Sequence, residues 1–222
     1  MNALHLDFES RSTLDLKEVG LYNYARHPTT DVWCAAWAYG DQEPQVWVPN
    51  HAAPLNSAGW GNNFNFDGIR IVAHNAAFEW EIWNQIMVKR YGWPPLAIGQ
   101  MTCTMAMAYA TALPGTLEGA AAAAGIEEQK DLAGQRLMRQ MSVPRRIEPD
   151  GTIVWWDTPD RLERLYEYCR QDVRIERSLS KRLVGLSARE SKIYLMDHRI
   201  NQRGVYVDQP SVKAATEVAA CE

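Results

Sequence analysis

Residues 4–10, Leu4-His5-Leu6-Asp7-Phe8-Glu9-Ser10, alternate apolar and polar side chains. As a β-strand the stretch turns Leu4, Leu6 and Phe8 to one face and His5, Asp7 and Glu9 to the other. Two carboxylates two residues apart on one strand face can share a metal ion, and they repel each other when no cation is present. An arbitrary Asp-x-Glu more commonly marks a half-buried strand with a solvated acidic face. A chemical meaning requires further acids placed to converge on the same spot.

The chain of 222 residues is long enough for one large domain, or for a domain with an appendage. Its 46% hydrophobic and 23% charged residues are those of an ordinary soluble globular protein. A formal net charge of −4 speaks against a generally basic nucleic-acid binder. It leaves room for an acidic site neutralised by bound cations, whose charge dominates locally. Cys34, Cys103, Cys169 and Cys221 are scattered without a CxxC. That spacing supports neither a zinc site nor a disulfide framework, and fits reduced thiols in a cytoplasmic setting. Asp7 and Glu9 interrupt the only early apolar run, and no run is long enough to span a bilayer, so no membrane partner is expected. The nine tryptophans, dispersed along the chain, fit core packing better than a stacking platform.

The pattern predicts a loop with a short helix around Leu16–Ala25, then a strand over Val32–Tyr39. Gly40-Asp41 makes a turn and Gln45–Val48 a returning strand, giving a three-stranded antiparallel start. Pro49–Gly68, rich in Asn, Gly and Pro, reads as a connecting loop. Ile69–Ala73 is a short apolar strand leading through His74-Asn75 into a helix over Ala76–Tyr91, ended by Gly92 and Pro94. Helices follow at Thr104–Ala112, Thr116–Ala124 and Asp131–Met141, and Val143–Trp156 reads as a loop or small hairpin. Thr158-Pro159-Asp160 opens a long helix to about Gly185, with Thr158 as N-cap. Ser187-Ala188-Arg189-Glu190 has the form of a capping box opening a helix to about Gln202. Val205–Val207 reads as a short strand, and a last helix begins after Pro210 and runs out uncapped, as if a larger protein continued. Strands, then strand–helix units, then helices describe an α/β or α+β layered domain.

Two later segments supply acids. Glu79 lies in the first turn of the helix after a strand, at the sheet end where active sites of open α/β folds gather. There it is favoured by the helix N-terminus. A first-turn Glu is also a common helix stabiliser, and Glu81 is an alternative, although the spacing from Asn75 favours Glu79. Tyr168 and Asp172, four apart on a helix, are neighbours on one face that can meet Asp7 and Glu9. Singly, each of these segments has an ordinary structural meaning. Their joint occurrence, in this order and in these contexts, carries the signal.

Asp7-Phe8-Glu9, Asn75-x-x-Phe78-Glu79 and Tyr168-x-x-x-Asp172 resemble the three motifs of the DEDDy branch of the DnaQ-like 3′–5′ exonucleases. The resemblance covers about residues 1–185. It includes Leu113-Pro114-Gly115-Thr116-Leu117, similar to a segment those enzymes carry between the second and third motifs. Residues 197–208, Asp-His-Arg-Ile-Asn-Gln-Arg-Gly-Val-Tyr-Val-Asp, look like the start of the polymerase region of family A DNA polymerases, especially phage-type ones.

The resemblance implies a ribonuclease H-like fold, a mixed β-sheet flanked by helices, with a short C-terminal helical segment leading toward an absent polymerase region. Residues 1–185 would form the exonuclease domain and 186–222 the start of the polymerase region. It implies hydrolysis at the 3′ end of single-stranded or frayed DNA, with two divalent cations, Mg²⁺ or Mn²⁺, held by Asp7, Glu9, Glu79 and Asp172. Tyr168 would orient the attacking water, Asn75 would pin the strand-to-helix turn or touch substrate, and Phe78, which also has a core reading, would touch substrate. The partners would be a DNA 3′ end and the polymerase region of the same polypeptide, in the cytoplasm of a host cell if phage-encoded. The family most often ends its second motif with Asp, whereas this chain has Glu79, which keeps the carboxylate and lengthens its reach. An exoribonuclease and a silent DNA-binding or bracing domain are the alternatives. The polymerase-like tail speaks against the first, and intact acids at all four positions against the second.

Overall fold

The computed structural model of the chain describes residues 3–49, 68–127 and 131–220. The alternating stretch forms β1 (Ala3–Arg11). After α1 (Leu16–Arg26), β2 (Asp31–Tyr39) and β3 (Gln45–Trp47) follow, and the three strands pair antiparallel as their pattern predicts. Nearly all of the expected Pro49–Gly68 loop lies outside the described residues. β4 (Arg70–Ala73) then joins β1 in parallel, and β5 (Met101–Cys103) joins β4 in parallel. The resulting five-stranded order is β3-β2-β1-β4-β5, with β1 at the centre. Flanked by helices, this mixed α/β sheet is consistent with a ribonuclease H-like fold.

Both faces of β1 are covered. On the Leu4/Leu6/Phe8 side, Phe8 packs edge-on to Trp83 and close to Trp93, and Trp93 in turn meets Trp47. Trp33, Trp37, Trp47, Trp83 and Trp93 are all buried, so these tryptophans are core. The helix predicted over Ala76–Tyr91 is interrupted: α2 (Ala76–Ile82) passes through a π-helical turn (Trp83–Met87) into α3 (Val88–Tyr91). Indole N–H groups of Trp80 and Trp83 donate to the carbonyls of Leu96 and Pro94.

The other face of β1 receives α7 (Pro159–Arg182), whose buried residues Leu165, Tyr168, Cys169, Asp172, Val173, Ile175, Glu176 and Leu179 recur at helical spacing. Cys34, Ala36 and Ala38 of β2 pack against Cys169 and Val173, their small side chains letting the helix come close to the sheet. Between β5 and α7 lie α4 (Thr104–Ala110), α5 (Leu117–Ala123), α6 (Leu132–Met141) and a hairpin of β6 (Arg146–Ile147) and β7 (Ile153–Val154). The alanine run of α5 packs with Ala108, Ile175 and Leu179, which accounts for its composition.

Four details depart from the sequence pattern. β5 was not anticipated, because three residues show no periodicity and the strand exists through its parallel pairing with β4. The π-helical turn breaks the helix expected to run without interruption. Thr158 occupies the N-cap position of α7 with extended backbone, but its side chain makes no capping bond. Val205–Val207 is not a strand: it is irregular, Val205 and Tyr206 are about nine-tenths exposed, and no described strand pairs with it. An extended segment without a ladder leaves its backbone to water and has nothing to hold it.

The chain divides into two compact units, Met1–Ser187 and Ala188–Glu222. The second contains α8 (Ala188–Arg203) and α9 (Gln209–Ala219), the latter capped by Asp208 accepting from the Ser211 amide. No helix among the described residues is long and apolar enough to cross a membrane.

Leu6 is buried at the centre of the sheet. Leu6→Ala is expected to lower unfolding free energy by about 2–5 kcal/mol in urea titration. A loss below about 1 kcal/mol would contradict a close-packed centre around β1.

Candidate active site

β1 extends beyond its parallel partner. Its pairing with β4 ends at His5↔Val72, because β4 turns at His74-Asn75 into α2. Beyond His5, that edge of β1 has no strand beside it in the described chain. The Phe8 amide instead donates to the carboxylate of Glu79, from the first turn of α2. A helix acid thus takes the place of a ladder carbonyl and lies beside Asp7.

The turn that delivers Glu79 is tightly held. Asn75 adopts the left-handed conformation (φ 64°, ψ 50°), which Asn tolerates better than most residues. The His74 ring bonds Thr104 Oγ1 at 3.1 Å and the Gly115 carbonyl at 2.8 Å, tying the Leu113–Leu117 segment to this turn. Asn75 is exposed, while Phe78 is half-buried with its ring against Tyr24. Glu81, the alternative acid, is buried toward α1 and pairs with Arg26 at 3.1 Å. Two residues apart on a helix, Glu79 and Glu81 point to different sides.

On the facing side, α7 brings Cys169 to Asp7 and Glu9, and Tyr168 within reach of their charges and of Asp172. The Cys169 thiol donates to Asp7 Oδ2 at 3.3 Å. Ligand atoms of Asp7, Glu9 and Cys169 all lie within 4.8 Å of one another. The Tyr168 hydroxyl is bonded to Asp172 and feels the charges of Asp172, Glu9 and Asp7. A β-bulge directly after Glu9 adds a residue to β2, so Trp33, like Cys34, turns toward α7. Trp33 packs with Tyr168 and Leu165 and donates its indole N–H to the Met141 carbonyl. Tyr168 is thereby wedged from several sides. Gly134 of α6 completes the wedge, since a Cβ there would stand 2.5 Å from the Tyr168 ring.

The electrostatics follow from packing acids where water is scarce. Burial, then the neighbouring Asp7 charge, pushes the Glu79 carboxyl well above the ordinary carboxylate range. Burial and the surrounding carboxylates hold the Tyr168 phenol far above its usual value, so it stays protonated. Burial, together with Cys34, Asp7 and Glu9, likewise raises the Cys169 thiol. Glu79 Oε2 is buried without a hydrogen-bond partner among the described residues. Clustered like charges and an unpartnered buried carboxylate oxygen are what a bound cation would relieve. The acidic cluster is compatible with divalent cations.

Sequence reasoning missed four residues around the site. Cys169 read as an apolar position of α7, and only the fold brings it to Asp7. Gly134 gave no signal, since its role is the absence of a side chain. His5 and Glu176, buried and joined at 2.6 Å, lie 171 residues apart. In the hairpin, Arg146 pairs with Glu148 and Arg145 stands over the Trp156 ring.

No family model matches the chain. Over 97% of its length it is 31% identical to a protein of Bacillus phage SP02 named DNA polymerase. The match covers 33% of that protein, so the chain spans about a third of the length of the curated relative it matches. The similarity supports a polymerase-related domain.

Two outcomes follow from this geometry. With a raised pKa, Glu79 contributes its full stability below the ordinary carboxyl range and loses it as pH rises through the raised value. At pH above the ordinary carboxyl range, Glu79→Gln should therefore raise the melting temperature of the metal-free chain and flatten its decline between that range and the raised value. An unchanged thermal profile would contradict the burial of a strained carboxyl. Gly134→Ala should displace the Tyr168 ring and destabilise by about 1–3 kcal/mol in urea titration, and a neutral effect would show that Tyr168 is not wedged.

Proposed function

We propose that residues 1–185 are a metal-dependent 3′–5′ exodeoxyribonuclease domain that proofreads for a DNA polymerase. Residues 186–222 then belong to the start of its polymerase region. The observation that carries this reading is the convergence of acids from three distant segments on β1: ligand atoms of Asp7 and Glu9 lie within 4.8 Å of each other, the Asp7 charge acts on Glu79 of α2, and Asp172 of α7 acts with Asp7 and Glu9 on Tyr168. The similarity to a phage protein named DNA polymerase supports the same context.

The donor set is carboxylate oxygen, with the one thiol held protonated, which suits hard Mg²⁺ or Mn²⁺ rather than a thiophilic ion. Asp7 lies close to Glu9 and its charge acts on Glu79, so it would be shared by two ions. Glu9 and Asp172 would complete one shell and Glu79 would serve the other. Bound divalent ions supply an acidified water and neutralise charge on the phosphate.

The remaining work falls to the protein. Tyr168, protonated and tied to Asp172, holds the attacking water through its oxygen lone pairs and does not take a proton from it. The wedge of Trp33 and Leu165 around its ring fixes that oxygen. Asn75, exposed beside Glu79, is placed to touch the terminal nucleotide, whereas the Phe78 ring is partly engaged by Tyr24. A frayed single-stranded end suits such a cleft because its bases are free to splay.

Digestion of a labelled single-stranded oligodeoxynucleotide with Mg²⁺ or Mn²⁺ tests the reading. Release of mononucleotides from the 3′ end is expected, with a loss of at least about a hundredfold for Asp7→Ala. Glu79→Asp should retain part of the activity and Glu79→Ala little. No metal-dependent release by the unsubstituted chain would defeat the enzymatic reading, and equal release by Asp7→Ala would defeat the site assignment. Faster digestion of an end carrying a terminal ribonucleotide would favour an RNA substrate instead.

A further inference from the structure

We propose that His5 and Glu176 form a clasp that positions the metal-binding carboxylates, by fixing how α7 lies along β1. The inference rests on the function proposed above and deepens it. Both side chains are at least nineteen-twentieths or so buried, at 5% and 2% exposure, and His5 Nδ1 meets Glu176 Oε2 at 2.6 Å.

The placement of the pair carries the proposal. His5 precedes Asp7 by two residues on the same face of β1, a step of about 6.6 Å at the usual strand rise. Glu176 follows Asp172 by four residues on the same face of α7, a step of about 6 Å. Along β1 the contacts run from His5 to Asp7 as those along α7 run back from Glu176 to Cys169. The clasp therefore lies one pleat and one helical turn from the acids, in the same seam.

Its buried neighbours in the seam are small or apolar, Ala36, Ala38, Cys169 and Val173. Other directional contacts of α7 with the β2–β3 turn, Arg177 to the Gly40 and Gln42 carbonyls and Arg174 to Glu43, lie at part-buried or exposed positions. Apolar contact alone tolerates sliding of a helix along a sheet, whereas a short buried hydrogen bond does not. A shift of α7 by one residue turns its side chains by about 100° and would carry Asp172 and Tyr168 away from Asp7 and Glu9.

Stability alone does not explain the pair. Glu176 Oε1 is buried without a hydrogen-bond partner among the described residues, a cost that leucines would avoid. The Glu176 charge also reaches Glu79, so the clasp lies within electrostatic range of that acid. A directional bond that specifies register at some cost in stability fits these observations.

The test measures Mn²⁺ affinity of the full chain by electron paramagnetic resonance of free Mn²⁺, beside melting temperature and nuclease kinetics. His5→Leu and Glu176→Leu are expected to weaken Mn²⁺ binding about tenfold or more while KM for a single-stranded oligodeoxynucleotide stays within about twofold. His5→Asn, whose amide nitrogen takes the place of Nδ1, should restore affinity to within about threefold. The double variant His5→Leu/Glu176→Leu leaves no buried charge unpaired, so it should fold even if the single variants do not, and still bind Mn²⁺ weakly. Unsubstituted affinity in the folded double variant, or His5→Asn no better than His5→Leu, would overturn the clasp. Absence of Mn²⁺ binding by the unsubstituted chain would instead defeat the proposed function, and the clasp with it.

Discussion

Mutual repulsion among carboxylates held out of water is the constraint on which the rest of this structure depends. Asp7, Glu9, Glu79 and Asp172 come from three elements, and apart from the half-buried Asp7 they are almost fully buried. Such a cluster survives in a folded chain only if packing elsewhere forces its members together. The forcing is visible on both sides of β1. The Phe8–Trp83–Trp93 core seats α2 so that Glu79 meets the free edge of β1. The small residues of β2 let α7 approach closely enough for Cys169 to bond Asp7. Hydrophobic burial thus stabilises an arrangement that electrostatics opposes, and a divalent cation is the natural relief.

Much of this was legible in the sequence because the informative patterns are local. Alternation gave β1 and its two faces, turn residues gave the hairpin, and i, i+4 spacing put Tyr168 and Asp172 on one side of α7. The parts that were not legible are non-local or too short to have a period. β5 owes its existence to β4, and the bulge after Glu9 appears only once β1 and β2 are in register. Cys169 and Gly134 matter through what approaches them, and His5 and Glu176 through a contact across 171 residues. Val205–Val207 failed in the opposite direction, since its strand-like composition has no ladder to join.

The choice of Glu79 over Glu81 illustrates how the fold adds to the pattern. Both are buried acids two positions apart in the same helix. Glu81 has a cation, Arg26, whereas Glu79 has Asp7 and the Phe8 amide. One is ion-paired through Oε2 within the packing of α1 on α2, and the other is a carboxyl whose charge is disfavoured until a partner arrives. Spacing from Asn75 pointed the same way, but only the environment supplies a physical reason.

The most direct measurement is the anomalous scattering of a crystal of this chain equilibrated with Mn²⁺. The account predicts two peaks in the seam between β1 and α7, both in contact with Asp7, one shared with Glu9 and Asp172 and the other on the Glu79 side. Absence of any peak among these carboxylates, or Mn²⁺ bound without contact to Asp7, would contradict it.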